Sequence, residues 1–196
     1  MIRNKRAVFL DRDGTINEDL DYVIDPSHFK LLDKVLDGMR LLQQNYFKII
    51  VISNQSGVSR GYFTIHQVDN FHRKMRDELK KGGIEVDGIY FCPHYKNGKV
   101  KEYAIDCLCR KPNPGLILQA ANDFQLDLKR CFMVGDKILD VEAGIKAGCK
   151  SILVLTGKGK EELKNRKAWE IHPHYITRDL LDAAYWIIKT SYNQDV

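Results

Sequence analysis

Short runs of aliphatic, β-branched and aromatic residues recur along the chain, each followed by a longer stretch in which apolar positions return every three or four residues. Ala7-Val8-Phe9-Leu10 has no polar interruption, the pattern of a strand buried on both faces, and residues 33–45 then carry a helical period. Residues 47–52 predict a second strand. Thr64, with Gln67 three positions on, predicts a capping box, and Ile65, Val68, Phe71, Met75 and Leu79 form one helical face that Gly82-Gly83 ends. Residues 88–92 predict a third strand. Asn113-Pro114 predicts a cap with proline at the first helical position of a helix running to 124. A strand over 131–135, a helix over 138–147 and a strand over 151–155 follow, and the tail predicts further helix, most regular over 179–188. Strands alternating with helices predict an α/β fold with a doubly wound, mostly parallel sheet covered on both faces, in one domain over 1–196.

Composition narrows the function classes. With 44% hydrophobic and 29% charged residues the chain is not disordered, collagenous or a coiled coil. Its longest apolar runs, Ile49-Ile50-Val51-Ile52 and Ile152-Leu153-Val154-Leu155, fall far short of the roughly 20 residues of a membrane span, so a cytoplasmic setting without a membrane partner is expected. The net charge of +5 favours phosphate-bearing ligands mildly, and without a basic helix or arginine run no nucleic-acid partner is expected.

In parallel sheets ligands bind beyond the carboxyl ends of the strands, and here the polar clusters follow strands. They are Asp11-Arg12-Asp13-Gly14-Thr15, Ser53-Asn54-Gln55-Ser56-Gly57 and Gly135-Asp136-Lys137, with Arg110-Lys111 ending an irregular segment. Asp11 and Asp13 alone are equally the pattern of an acidic turn. Brought together with Asp136 they need a cation, and an open, all-oxygen site suits Mg²⁺ bound with a phosphate. Cys92-Pro93-His94, twelve residues, then Cys107-Leu108-Cys109 gives a Cys₃His set for tetrahedral zinc, with no vacancy for catalysis and thus a structural role in a loop over 92–109. Buried, unliganded thiols are the other reading of that set. Cys131 and Cys149 stand apart in apolar surroundings.

The string Asp11-Arg12-Asp13-Gly14-Thr15 after a buried strand, with Ser53-Asn54, Lys111 and Gly135-Asp136 in order, resembles the haloacid dehalogenase-like phosphohydrolases over about residues 7–155. The resemblance implies that Asp11 is the nucleophile and that Asp13, given a raised pKa, is the general acid and base. It implies that Asp11 and Asp136 hold Mg²⁺ through side chains and Asp13 through its backbone carbonyl. Ser53, Asn54 and Lys111 would ring the phosphoryl group, with Gln55 and Ser56 beside them. Lys137, next to Asp136, either orients the metal carboxylates and lines the substrate site or is solvated, and Asp140, one helical turn on, is expected as a supporting carboxylate and not a direct ligand.

The zinc loop followed by Cys109-Arg110-Lys111-Pro112, together with Ser53-Asn54-Gln55-Ser56-Gly57 and Val134-Gly135-Asp136-Lys137, is similar to the heptose bisphosphate phosphatases and the related histidinol-phosphate phosphatases. That similarity implies a capless monomer that removes the C7 phosphate of a sugar bisphosphate in the supply of activated heptose for a bacterial surface polysaccharide. Arg110 would bind the distal phosphate bidentately, and Asp19 and Tyr22 would touch the sugar. Where the family loop commonly reads Asp-His-Gly-Tyr this chain has Asp19-Leu20-Asp21-Tyr22, and Ser53 replaces a more usual Thr. Histidinol phosphate, a 3′-phosphorylated DNA end, or nucleic-acid binding by the Cys₃His knuckle are the alternatives. His28, His66 and His72 are expected on surface or helix faces, His172-Pro173-His174 in a turn, and Lys158, Lys160, Lys164, Arg166 and Lys167 on a solvated face or mobile flap.

Overall fold

A computed structural model describes residues 5–22 and 24–192. In chain order the elements are β1 (Ala7–Leu10), α1 (Val35–Gln44), β2 (Lys48–Asn54), α2 (Gly57–Arg60), α3 (Ile65–Lys81), β3 (Gly88–Cys92), α4 (Gly115–Phe124), β4 (Phe132–Gly135), α5 (Ile138–Ala147), β5 (Lys150–Val154), α6 (Gly159–Lys164), β6 (Tyr175–Thr177) and α7 (Leu180–Tyr192). All strand pairs are parallel, in the order β3-β2-β1-β4-β5-β6. The order reverses beside β1, and the ends of β1 and β4 flank the crevice this creates.

The strand period of two sends alternate residues of β1 to opposite faces. Val8 and Leu10 join Val35, Met39 and Leu42 of α1 and Leu180, Ala183 and Ile187 of α7. Ala7 and Phe9 join Leu116, Ile117 and Ala120 of α4 and Ala143 and Ala147 of α5. Both faces being covered explains why the inner strands carry no polar alternation. The predicted capping box on α3 is present: Thr64 Oγ1 accepts from Gln67 N–H and Gln67 Oε1 accepts from Thr64 N–H.

Three local expectations change. Pro114 occupies the cap position of α4, not its first turn, and Asn113 donates its amide to the Cys107 carbonyl at 2.9 Å instead of capping. The tail contains β6, a three-residue edge strand too short to show a period. The four-residue α2 also escaped the sequence pattern. Among the described residues no helix is long and apolar enough to cross a membrane.

Candidate functional site

Asp11 follows the last residue of β1, its N–H donating to the Val134 carbonyl of β4 at 2.9 Å, so the sheet itself sets its place. Asp136 follows β4 in the same way. Lys111 reaches in from the far side: its Nζ lies 2.6 Å from Asp11 Oδ1, 2.6 Å from Asp140 Oδ1 and 3.0 Å from the Ile52 carbonyl. Asp11, Asp136 and Asp140 each offer an oxygen within 4.8 Å of the others. Asp140 Oδ2 accepts from the Lys137 N–H at 3.1 Å. Asp136 Oδ2 accepts from Lys158 N–H at 2.7 Å; its buried Oδ1 has no hydrogen-bond partner, and unlike Asp140 Oδ1, which also lacks a hydrogen bond, it is not paired with Lys111. A buried carboxylate oxygen left unmatched among three acids is what a hard cation would satisfy, so the donor set fits Mg²⁺.

Electrostatics say the same. Burial first, then the Asp11 and Asp140 charges, push Asp136 up to about 8. Burial lifts Asp11 to about 6 although Lys111 pulls it down. Lys111 is raised, the two carboxylates outweighing its burial. Two glycines make room for this packing. Gly14, at φ +82°, and Gly157, at φ +48°, are positions where any Cβ would stand 2.1–2.2 Å from Asp136 Oδ2. Thr156 Oγ1 donates to the Gly14 carbonyl at 2.6 Å, so the segment after β5 is pinned to the site and is no flap at its root. The basic side chains beyond it are exposed, as the solvated-face reading expects.

Asp13 is held by its neighbours more firmly than the sequence suggested. Arg12 donates from Nε to Oδ1 at 3.0 Å and from Nη2 to Oδ2 at 2.7 Å, and Asn17 and Gln55 donate at 3.0 and 3.1 Å. Burial would raise Asp13, but Arg12 and these amides outweigh it and hold the carboxyl below its ordinary value. The expectation of a raised pKa is therefore corrected for the ligand-free site.

The cleft over this floor is about 190 Å³ and is lined by Asp11, Asp13, Asp19, Tyr22, Asn54 and Ser56, with Arg110, Lys111 and Lys137 supplying positive charge. Lys137 Nζ donates to Asp19 Oδ2 at 3.0 Å. Ser53 and Gln55 are buried behind the wall, with Gln55 Nε2 donating to Ser53 Oγ at 2.8 Å. The Asn54 side chain brackets the Lys111 peptide, accepting from its N–H and donating to its carbonyl, each at 3.1 Å. Its amide is thus committed to holding Lys111. Asp21, Leu139 and Asp140 also line the cleft and were not assigned to substrate. Asp21 takes φ +56°, which explains why glycine suits that position in the loop and why Asp is tolerated there. A larger cavity of about 600 Å³ opens at the amino ends of β2 and β3 between Phe47, Lys48, Asp87 and Phe124, away from the clustered acids.

Cys92, His94, Cys107 and Cys109 converge beside the cleft. Their Sγ atoms are 3.1–3.5 Å apart, and His94 Nδ1 lies 3.2 Å from Cys109 Sγ and 3.6 Å from Cys92 Sγ. A tetrahedron with zinc–sulfur bonds of about 2.3 Å has sulfur–sulfur edges of roughly 3.8 Å, so the cluster is slightly contracted and otherwise the right shape. Hydrogen bonding from Cys92 pulls the Cys109 thiol down to about 5 against its burial. The loop is tied to α2: the Ser59 hydroxyl reaches the Tyr95 and Tyr103 carbonyls, each at 2.9 Å, and the Ser59 carbonyl accepts from Lys99 and Val100 N–H. Arg110 Nη1 donates to the His94 carbonyl at 3.3 Å.

His28, His66, His172 and His174 are exposed, whereas His72 lies on the buried face of α3, 6% exposed and facing Arg12. Arg12 itself, 2% exposed, had drawn no role from the sequence.

Residues 108–183 match a family model described as HAD-hydrolase-like, and residues 7–145 match one described as polynucleotide kinase 3 phosphatase. The chain is 43% identical to the D-glycero-beta-D-manno-heptose-1,7-bisphosphate 7-phosphatase of Yersinia pestis over 81% of this chain and 85% of that one. It is 40% identical to the enzyme of that name from Escherichia coli K12 over 88% and 91%. A crystal structure of the D,D-heptose 1,7-bisphosphate phosphatase from B. bronchiseptica, complexed with magnesium and phosphate, superposes with a TM-score of 0.82 at 32% identity, covering 95% of this chain and 99% of that one.

Proposed function

Because the chain belongs to the heptose bisphosphate phosphatase family of the haloacid dehalogenase-like phosphohydrolases, we propose that it removes the C7 phosphate of D-glycero-β-D-manno-heptose 1,7-bisphosphate in two displacements. The observation that carries this reading is the buried Asp11, paired with Lys111 and set beside the unmatched oxygen of Asp136, at the floor of a cleft with three cationic side chains. The reaction serves the supply of activated heptose in the cytoplasm.

In the first displacement Asp11 attacks phosphorus, the bond to the C7 oxygen breaks, and Asp13 gives that oxygen a proton. In the second, water gives a proton to Asp13 and attacks the aspartyl-phosphate, returning Asp11 as a carboxylate. Asp13 rests as a carboxylate, the form the second displacement needs. The dianionic phosphate entering beside it raises its pKa toward the form the first displacement needs. Lys111 balances charge on the phosphoryl oxygens, joined by Ser53 and the main chain at Asn54 and Ser56. Asp11, Asp136 and the Asp13 carbonyl would hold Mg²⁺, which supplies electrostatic stabilisation of the transferring phosphoryl group. The Cys₃His cluster would hold a structural zinc that keeps Arg110 over the cleft, where its fork suits the distal phosphate.

The match of residues 7–145 to the polynucleotide 3 phosphatases supports a second reading, a 3′-phosphatase of DNA ends. Phosphate release with Mg²⁺ from the β- and α-anomers of the heptose bisphosphate, histidinol phosphate and a 3′-phosphorylated oligonucleotide decides between them. The β-anomer is expected to turn over fastest by kcat/KM. Faster release from histidinol phosphate or the oligonucleotide would discard the heptose substrate and keep the two displacements.

A further inference from the structure

Arg12 has five N–H donors and no acceptor, so a polar atom placed against it must accept. His72 Nε2, from α3, lies 3.2 Å from Arg12 Nη1. The ring nitrogen facing Arg12 therefore carries its lone pair, and the ring's proton sits on Nδ1. Both residues are shut away from solvent, at 6% and 2% exposure. The His72 ring meets the Phe91 ring edge-on at 5.4 Å, and the Arg12 guanidinium lies 4.6 Å from the Phe71 ring centroid. Burial, followed by the charge of Arg12, holds the ring down to about 3 while Asp13 opposes this and Arg76 adds to it. The ring is a neutral acceptor throughout the neutral range.

Two further N–H groups of Arg12 go to Asp13, Nε to Oδ1 and Nη2 to Oδ2. A guanidinium bound to a carboxylate on one side, a histidine on another and a phenyl ring beneath has one available orientation. A leucine or phenylalanine at 72 would pack against Phe91 at less desolvation cost, so packing alone does not account for a polar ring there.

We propose that His72 is a positioning residue for phosphate-ester cleavage: by accepting from Arg12 it fixes the guanidinium that aims the Asp13 carboxyl into the cleft. The inference rests on Asp13 being the acid of the first displacement. A carboxyl turned by a fraction of an ångström transfers its proton poorly to an alkoxide, whereas p-nitrophenolate leaves without one.

The test compares His72→Phe, which keeps the aromatic contact and removes the acceptor, with His72→Gln, whose amide oxygen can replace Nε2. Both are assayed with Mg²⁺ on the heptose bisphosphate and on p-nitrophenyl phosphate, beside Asp13→Asn. Expected for His72→Phe is a loss of kcat/KM on the sugar of on the order of tenfold or more, at unchanged KM, with p-nitrophenyl phosphate within about twofold. His72→Gln is expected to recover most of the loss. Should the phenylalanine variant fail to fold, His72→Leu takes its place in the same comparison. Equal losses on the two substrates, no loss, or a glutamine no better than the apolar variant would overturn the proposal. Because the second displacement also needs Asp13, the Asp13→Asn comparison is read in the single-turnover burst of leaving-group release: a burst spared on p-nitrophenyl phosphate and lost on the sugar, with His72→Phe slowing both, isolates the failure to His72, and a burst lost equally on both removes the acid role of Asp13 and the proposal with it.

Discussion

Lys111 sets the charge balance of the cleft, because one ammonium stands against two buried carboxylates at 2.6 Å each. Taking away one partner of a buried ion pair leaves the other uncompensated, at a cost of about 3 kcal/mol or more. Lys111→Met is therefore expected to lower the urea-unfolding free energy of the Mg²⁺-free protein at pH 7 by about 3 kcal/mol and to abolish turnover; a change below about 1 kcal/mol would mean that the acids are not buried as a charged set. The acids and Lys111 were legible because each follows a strand or ends a recognisable loop. His72 and Arg12 were not, since the contact joins positions 60 residues apart and a single histidine on an apolar helix face has no spacing that marks it. The lowered pKa of Asp13 was likewise invisible, as it depends on where the guanidinium of its own neighbour points.

At the scale of elements, the strands and long helices followed from periodicity, while the segments that failed were those too short to have one. The three residues of β6 cannot display alternation, and the four of α2 cannot display a helical face. Yet α2 matters, because Ser59 ties it to the loop over 92–109, beside the Cys₃His cluster and the bonds from Arg110 and Asn113. With turns in place of regular secondary structure between Tyr95 and Asp106, the loop depends on such side-chain ties for its order. Cys107→Ser is expected to lower bound zinc, measured by elemental analysis, and to lower Tm by about 5 °C or more, given roughly 2–4 °C per kcal/mol for a domain of this size. Unchanged metal content would leave the four side chains as ordinary thiols and a histidine.

Across the whole molecule, the doubly wound sheet gathers ends of β1, β2 and β4 that lie far apart in the chain, and it buries their acids. The protons those acids hold give the fold a pH signature. In Mg²⁺-free protein Asp11, at about 6, and Asp136, at about 8, lie above the carboxylate value of 3.8 that the unfolded chain has, so the folded chain binds more protons and stability falls as pH rises through that window. His72 acts oppositely, at about 3 against 6.5, but only below its unfolded value. Between pH 6.5 and 8 the Mg²⁺-free, zinc-retaining protein is expected to lose stability in chemical denaturation, and saturating Mg²⁺ is expected to remove that slope by binding the ionised acids. A stability that rises over this interval without Mg²⁺ would contradict the buried acid cluster. Lys111 enters the same cluster from two residues beyond Cys109, bracketed by Asn54. The ammonium that balances the buried acids is thus carried by the loop and not by the sheet, so a disturbance of the loop unsettles the charge at the floor of the cleft.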